Sequence, residues 1–199
     1  MSFRIEAKIP LTLNDLNILR STLLDKGMTS LYPKRFIRSI YFDNKYHDMF
    51  NESEEGVIPR KKMRIRNYPQ KQETSFNLEI KISSEEGRFK TSRLLNLNEY
   101  ESIIKNGYFD KDYGQIFPTI VVEYWREYFL YKNRRFTFDT AISYSNLIKN
   151  QVFYENYCVM EVKTSAHDNL DDITNIINTP LKRFSKYCNG MLKIKNISH

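Results

Sequence analysis

The chain has 199 residues, 41% of them hydrophobic and 14% aromatic, with only 6 Gly and 6 Pro. That length fits one domain with its own core, and the composition excludes a disordered or fibrous chain. A net charge of +7 and a pI of about 9.2 point to an anionic partner (nucleic acid, phosphate compounds or a membrane surface) without choosing among them.

In chain order, Phe3–Ile9 alternates Phe3, Ile5, Ala7 and Ile9 against Arg4, Glu6 and Lys8, the pattern of a strand. Thr12 is placed to N-cap a helix running to about Lys26. Its apolar stripe is Leu13, Leu16, Leu19 and Leu23, and Gly27 is its stop. Arg38–Asp43 reads as a strand, and the charged stretch with Asn51, Gly56 and Pro59 as a loop. Strands are expected at Lys61–Tyr68 and Ser75–Ile82, then a helix capped by Asn96 and ending at Gly107. Thr119–Tyr131, Arg134–Ile142 and Tyr157–Thr164 complete the strands, with Val152–Tyr154 as an edge pair. A third helix begins near Asp168 with Leu170, Ile173, Ile176 and Ile177 inward. Pro180 restarts it as a short helix carrying Lys182, Arg183 and Lys186, ending before Gly190. Mostly antiparallel strands with a few helices define an α+β class. No linker divides the chain, so a single domain over residues 1–199 is expected.

Several chemistries are excluded. Cys158 and Cys188 have neither disulfide-framework nor zinc spacing. His47, His167 and His199 are scattered and read as loop or surface residues, and Ser39 and Ser185 sit in no Ser/His/Asp arrangement. The charged N-terminus is not a signal peptide, and no run reaches the roughly 18 apolar residues of a membrane span. A cytoplasmic location is therefore expected. There is no Walker A or GxGxxG motif, so any phosphate must be held by side chains. Arg60–Arg66 resembles a nucleic-acid patch in charge alone. No nucleic-acid motif accompanies it, and carboxylates on neighbouring strands would repel a nucleic-acid backbone.

The informative feature is the charged side of each strand. Residues two apart share a face. Lys62, Arg64 and Arg66 therefore project together, as do Glu79 with Lys81, Arg135 with Thr137 and Asp139, and Glu161 with Lys163. One reading is an ordinary wet face of an antiparallel sheet. The other is a barrel with charges inside and helices outside, whose cations require interior carboxylates or a polyphosphate ligand. In that case a carboxylate such as Glu161 would hold a hard cation bridging phosphate oxygens. Tyr41 and Tyr68 read as wall aromatics in preference to adenine-stacking ones.

The ordered run of Arg4-Ile5-Glu6-Ala7-Lys8, Ser39-Ile40-Tyr41-Phe42-Asp43, Lys62-Met63-Arg64-Ile65-Arg66-Asn67-Tyr68 and Leu78-Glu79-Ile80-Lys81 resembles the VTC domain. So does its continuation in Tyr124-Trp125-Arg126, Arg135-Phe136-Thr137-Phe138-Asp139, Val159-Met160-Glu161-Val162-Lys163 and Ser185-Lys186-Tyr187. The VTC domain is the catalytic domain of the vacuolar transporter chaperone complex, one of the triphosphate tunnel metalloenzymes. The resemblance implies an eight-stranded antiparallel barrel tunnel with helices outside. It also implies synthesis of polyphosphate from ATP with a divalent metal, manganese or magnesium. By motif, Lys8, Arg64, Arg66, Lys81, Arg126, Arg135 and Lys186 would line the tunnel and grip phosphates. Arg183 joins them where the family is expected to carry Lys. Arg38, Lys62 and Lys163 are counted with the substrate-binding side chains. Glu161 would be the main metal ligand, with Glu6 and Glu79 as helpers. The related CYTH triphosphatases carry ExExK on the first strand, and here Arg4 takes the first position. This favours the VTC branch and transfer over hydrolysis; a triphosphatase of the same fold and a non-catalytic polyphosphate-binding module are the alternatives. The chain shows no SPX-like regulatory domain.

Overall fold

The computed structural model describes residues 4–70, 75–147, 151–165, 171, 175 and 184–195, without the side chains of residues 4, 5, 164 and 165. Its strands are β1 (Arg4–Leu11), β2 (Thr29–Asp43), β3 (Arg60–Asn67), β4 (Phe76–Ser84), β5 (Gly87–Leu95), β6 (Tyr108–Asp110), β7 (Gly114–Tyr131), β8 (Arg134–Ser145), β9 (Val152–Tyr154) and β10 (Cys158–Ser165). The helices are α1 (Leu13–Asp25), α2 (Asp48–Glu55), α3 (Leu97–Asn106) and α4 (Lys186–Lys195). This is an α+β chain with one large sheet. Hydrogen bonding runs β1-β10-β8-β7-β2-β3-β4-β5, with β6 on β7 and β9 on β8. Among the described residues the path ends at β1 and β5 and the sheet is not closed. By contacts the chain forms two compact units. The first draws on Met1–Phe36, Tyr124–Ile142 and Tyr154–Phe184, the second on Ile37–Glu123, Ser143–Phe153 and Ser185–His199.

In the first unit, β1 pairs with β10 and β10 with β8, all antiparallel. The alternation on β1 decides what is covered. Ala7 and Ile9 join Phe136, Phe138, Met160 and Val162 in a core sealed by Leu16, Leu19 and Leu23 of α1. Burying each such leucine contributes about 1.5–3 kcal/mol. Thr12 caps α1 by accepting from the Asp15 amide at 3.1 Å, and Gly27, at φ 93°, lets the chain leave the helix. Leu13 does not belong to the stripe: as the first helical residue it is 57% exposed, and the buried face starts at Leu16. A two-residue turn, Lys132-Asn133 at φ 48° and 60°, joins β7 to β8.

In the second unit, β3 pairs with β2 and β4, and β4 with β5, again antiparallel. Ile40, Phe42, Met63, Ile65 and Leu78 form its core, packed by Tyr100, Ile103 and Ile104 of α3. A capping box between Asn96 and Glu99 starts α3.

Four further points differ from the sequence reading. The stretch expected as a loop holds α2. Its first amides are taken up by Asp43, which accepts from Met49 and Phe50 at 3.0 Å each, and by Asn44, which accepts from Asp48 at 3.1 Å. The cap lies in β2 and just after it, outside the local spacing that marks a helix start. Strand β5 was not foreseen, because its exposed, charged sequence has no apolar alternation. β2 begins at Thr29, well before Arg38. Gly190 lies inside α4 and does not end it. A Cβ there would come within 2.5 Å of Ile120 Cδ1 and Tyr144 Cδ1, so glycine serves close approach. The helix expected from Asp168 to Arg183 falls outside the described residues apart from 171 and 175. No described helix is long and apolar enough to cross a membrane.

Candidate anion-binding site

Register makes the charged faces explicit, because paired residues of adjacent strands point the same way. In the second unit Lys62 pairs with Lys81, and Lys81 with Lys90. Three lysines thus stand side by side across β3, β4 and β5. The next row runs Arg64, Glu79, Ser92, and the next Arg66, Asn77, Leu94. Glu79 is the one carboxylate in these three rows. It accepts from Arg64 Nε at 2.7 Å and from Lys90 Nζ at 2.6 Å. Burial pushes its pKa up, but the charges of Arg64 and Arg66 and the hydrogen bonds from Lys90 and Arg64 outweigh that and bring it to about 2.

Neutral groups aim the remaining cations. Arg64 Nη1 donates to Tyr41 Oη at 2.8 Å, Arg66 Nε to Ser39 Oγ at 3.2 Å, and Lys62 Nζ to Ser185 Oγ at 3.0 Å. Tyr41 is stacked on Tyr187 with ring centroids 4.9 Å apart. Burial raises its phenol pKa, yet Arg64, Arg66 and Lys81 together lower it to about 8. Tyr187 donates to Asp43 Oδ2 at 2.5 Å, which ties α4 to β2.

The first unit is charge-matched. Lys8 pairs with Glu161 and Glu161 with Thr137 in one row; Glu6, Lys163 and Arg135 form the next. Arg126 forks onto Asp139, Nε to Oδ1 at 2.5 Å and Nη2 to Oδ2 at 2.7 Å, and its Nη2 reaches Glu161 at 3.5 Å. Lys163 meets Glu161 at 3.1 Å, and Lys8 meets Glu6 at 3.0 Å. Asp139 is fully buried and Glu161 is 5% exposed. Burial alone would lower the Arg126 pKa; the Asp139 charge more than reverses this and raises it well above the usual value.

Residues 3–195 match the model of the VTC domain. The chain belongs to the VTC domain family. No curated protein matches it by sequence. Among solved structures, this VTC domain is similar in fold to a candidate adenylate cyclase from Bacillus halodurans, with TM-score 0.65, 15% identity and 92% and 94% of the two chains covered. A protein from Pyrococcus horikoshii gives TM-score 0.62, 14% identity and coverage of 96% and 99%. A candidate adenylyl cyclase from Hippeastrum, described as having a dominant triphosphatase activity, gives TM-score 0.58, 13% identity and 96% coverage of each chain.

Within this VTC domain, Lys62, Arg64, Arg66 and Lys81 gather on one face of the second unit, and Lys186 begins α4 beside Ser185. Lys8, Glu6, Arg126, Glu161, Lys163 and the exposed Arg135 share a face of the first. Arg38 is not brought to either group. It lies on the Ile40 and Phe42 side of β2, held by Glu123 at 2.7 Å. Both oxygens of Glu79 are engaged by cations, Oε2 by Arg64 and Oε1 by Lys90, as those of Glu161 are by Arg126 and Lys163. Arg183 lies outside the described residues, as does the side chain of Arg4. Asp139, Lys90, Ser39 and Ser185, which contact these charged side chains, were not among the sequence candidates. The signal for Asp139 was present, since it shares the Arg135 and Thr137 face. Lys90 was hidden by the unrecognised β5.

Among the described residues no three acidic, histidine or cysteine side chains gather as a metal site. Glu6 and Glu161 nevertheless lie diagonally on adjacent strands, given the Lys8–Glu161 and Glu6–Lys163 register. Two carboxylates suit an ion of the magnesium class, which takes one or two of them and leaves its other positions to water and phosphate.

Proposed function

We propose that this VTC domain is a metal-dependent phosphotransferase that passes the terminal phosphate of ATP to a growing polyphosphate chain inside the family's eight-stranded tunnel. The observation that carries the reading is the Lys62–Lys81–Lys90 row with Arg64 and Arg66 beside it. Like charges directly opposite one another destabilise a sheet, and a polyanion spread across these rows would offset that repulsion.

The roles follow from the contacts. Arg64 and Arg66, each already oriented by a neutral oxygen, would fork onto phosphate oxygens. Lys62 and Lys81 would neutralise the chain as point charges. Arg126, fixed by Asp139, together with Lys8, Arg135 and Lys163, would hold donor and acceptor in line, which is the larger part of phosphoryl-transfer catalysis. Glu161, helped by Glu6, would hold the divalent ion, manganese or magnesium, which when bound would neutralise charge on bridging phosphate oxygens. In the transfer, the acceptor's terminal oxygen forms a bond to the γ-phosphorus as the bond to ADP breaks.

Incubation with ATP and manganese, resolving ADP, free phosphate and acid-labile polymer, tests this. ADP with polymer is the expected result. ADP with free phosphate alone replaces the polymerase by a triphosphatase, and no ATP consumption leaves a binding module.

A further inference from the structure

The first unit carries an aromatic and cationic cluster that this reading does not yet use. Tyr124, Arg126 and Tyr128 alternate along β7 and share one face. Arg126 lies over the Tyr124 ring at 5.2 Å. One strand repeat further on, about 6.7 Å, Tyr128 meets Tyr32 edge to face, with centroids 5.7 Å apart and planes at 83°. The Arg35 guanidinium lies over both rings, 5.3 Å from Tyr32 and 5.4 Å from Tyr128. Among the described residues no carboxylate pairs with Arg35 and no side chain accepts from it. Tyr32 is 45% exposed, and Arg35 and Tyr128 are partly exposed.

We propose that Tyr32, Arg35 and Tyr128 form the seat for the base of a nucleoside triphosphate. The proposal rests on the phosphotransferase reading and adds to it the residues that seat the donor's base. A nucleobase is a flat, uncharged aromatic ring that stacks on tyrosine and guanidinium planes alike. Here both kinds of plane are held together and open to solvent. The phosphate-gripping Arg126 is the next residue along the same strand face. β8 lies between β7 and β10 in the sheet, so about two strand spacings, roughly 9.6 Å, separate the strand of Tyr128 from that of Glu161. A nucleoside triphosphate bridges such a span with its base at one end and its terminal phosphates at the other. Inorganic triphosphate has nothing to place on the rings. An arginine meant only to bind phosphate has no need of two aromatic faces, and a purely structural arginine is more economically paired with an acid.

The test measures binding of ATP and of inorganic triphosphate to the full chain by calorimetry, in wild type, Tyr32→Ala, Tyr32→Phe and Arg35→Ala. Tyr32 is the most exposed of the three, so its removal spares the core. Tyr32→Ala and Arg35→Ala should weaken ATP about tenfold, the scale of one lost base stack. Inorganic triphosphate should stay within about twofold for Tyr32→Ala, and Tyr32→Phe should bind ATP as wild type does. Equal weakening of both ligands by Tyr32→Ala, or no loss of ATP affinity in either alanine variant, overturns the seat while leaving the triphosphate site intact. If wild type binds neither ligand, the functional reading itself fails and the seat with it.

Discussion

The two units carry charge in opposite ways. In the first, three cations have a carboxylate within reach: Arg126 has Asp139 and Glu161, Lys163 has Glu161, and Lys8 has Glu6. In the second, the three rows over β3 to β5 share the single carboxylate of Glu79. A face of the first kind is already oriented before any ligand arrives, and its carboxylates can serve a cation. A face of the second kind sets lysines directly opposite one another across strands, an arrangement that a bound polyanion would favour. Under the proposed function, the first unit would hold the metal and the second would grip the anion.

The comparison is broken most directly at Glu161. Glu161→Gln should lower metal-dependent ATP turnover by about a hundredfold or more while leaving the melting temperature within a few degrees. Steady-state assays at varied manganese check this, and normal activity with normal metal dependence would remove Glu161 from the metal role. Next is Asp139→Asn, which leaves the buried Arg126 without its main partner. It should destabilise the chain by on the order of 3–5 kcal/mol, read by denaturant unfolding; a cost below about 1 kcal/mol would mean the pair is not structurally coupled.

The third prediction concerns acid. The folded Glu79 pKa, about 2, is below the unfolded value near 4.5. Its contribution is therefore complete above about pH 4.5 and is lost as pH falls towards 2. Unfolding free energy should drop by on the order of 2–3 kcal/mol across that window through this group. Glu79→Gln should flatten that part of the profile, and an unchanged slope would deny the Arg64 and Lys90 pairing. The smallest effect belongs to Lys81, the centre of the lysine row. Lys81→Ala should stabilise the ligand-free chain slightly, by about 0.2–1 kcal/mol, and shrink the rise in melting temperature that triphosphate produces. A larger triphosphate shift in the variant would show that the row is not the anion grip.

Much of this was legible in the sequence. Period-two alternation on Lys62–Arg66, Glu79–Lys81 and Glu161–Lys163 put those side chains on common faces, because strand geometry fixes alternation locally. Thr12 and Asn96 marked their helices because a cap lies within three residues of the amides it satisfies. α2 was not legible, because its amides are satisfied by Asp43 and Asn44 of β2 and the segment after it. Nor was β5, whose strand state comes from its pairing with β4 and not from its own pattern.

The sequence by itself thus determined which residues share a strand face, where two helices begin, and the net basic character. Each follows from spacing along the chain. Only the tertiary structure decided which faces meet across strands. It placed Lys90 beside Lys81, turned Arg38 away to Glu123, gave Arg126 to Asp139, and made Gly190 a contact point for Tyr144. Register and packing between distant segments set these relations, and no local pattern encodes them.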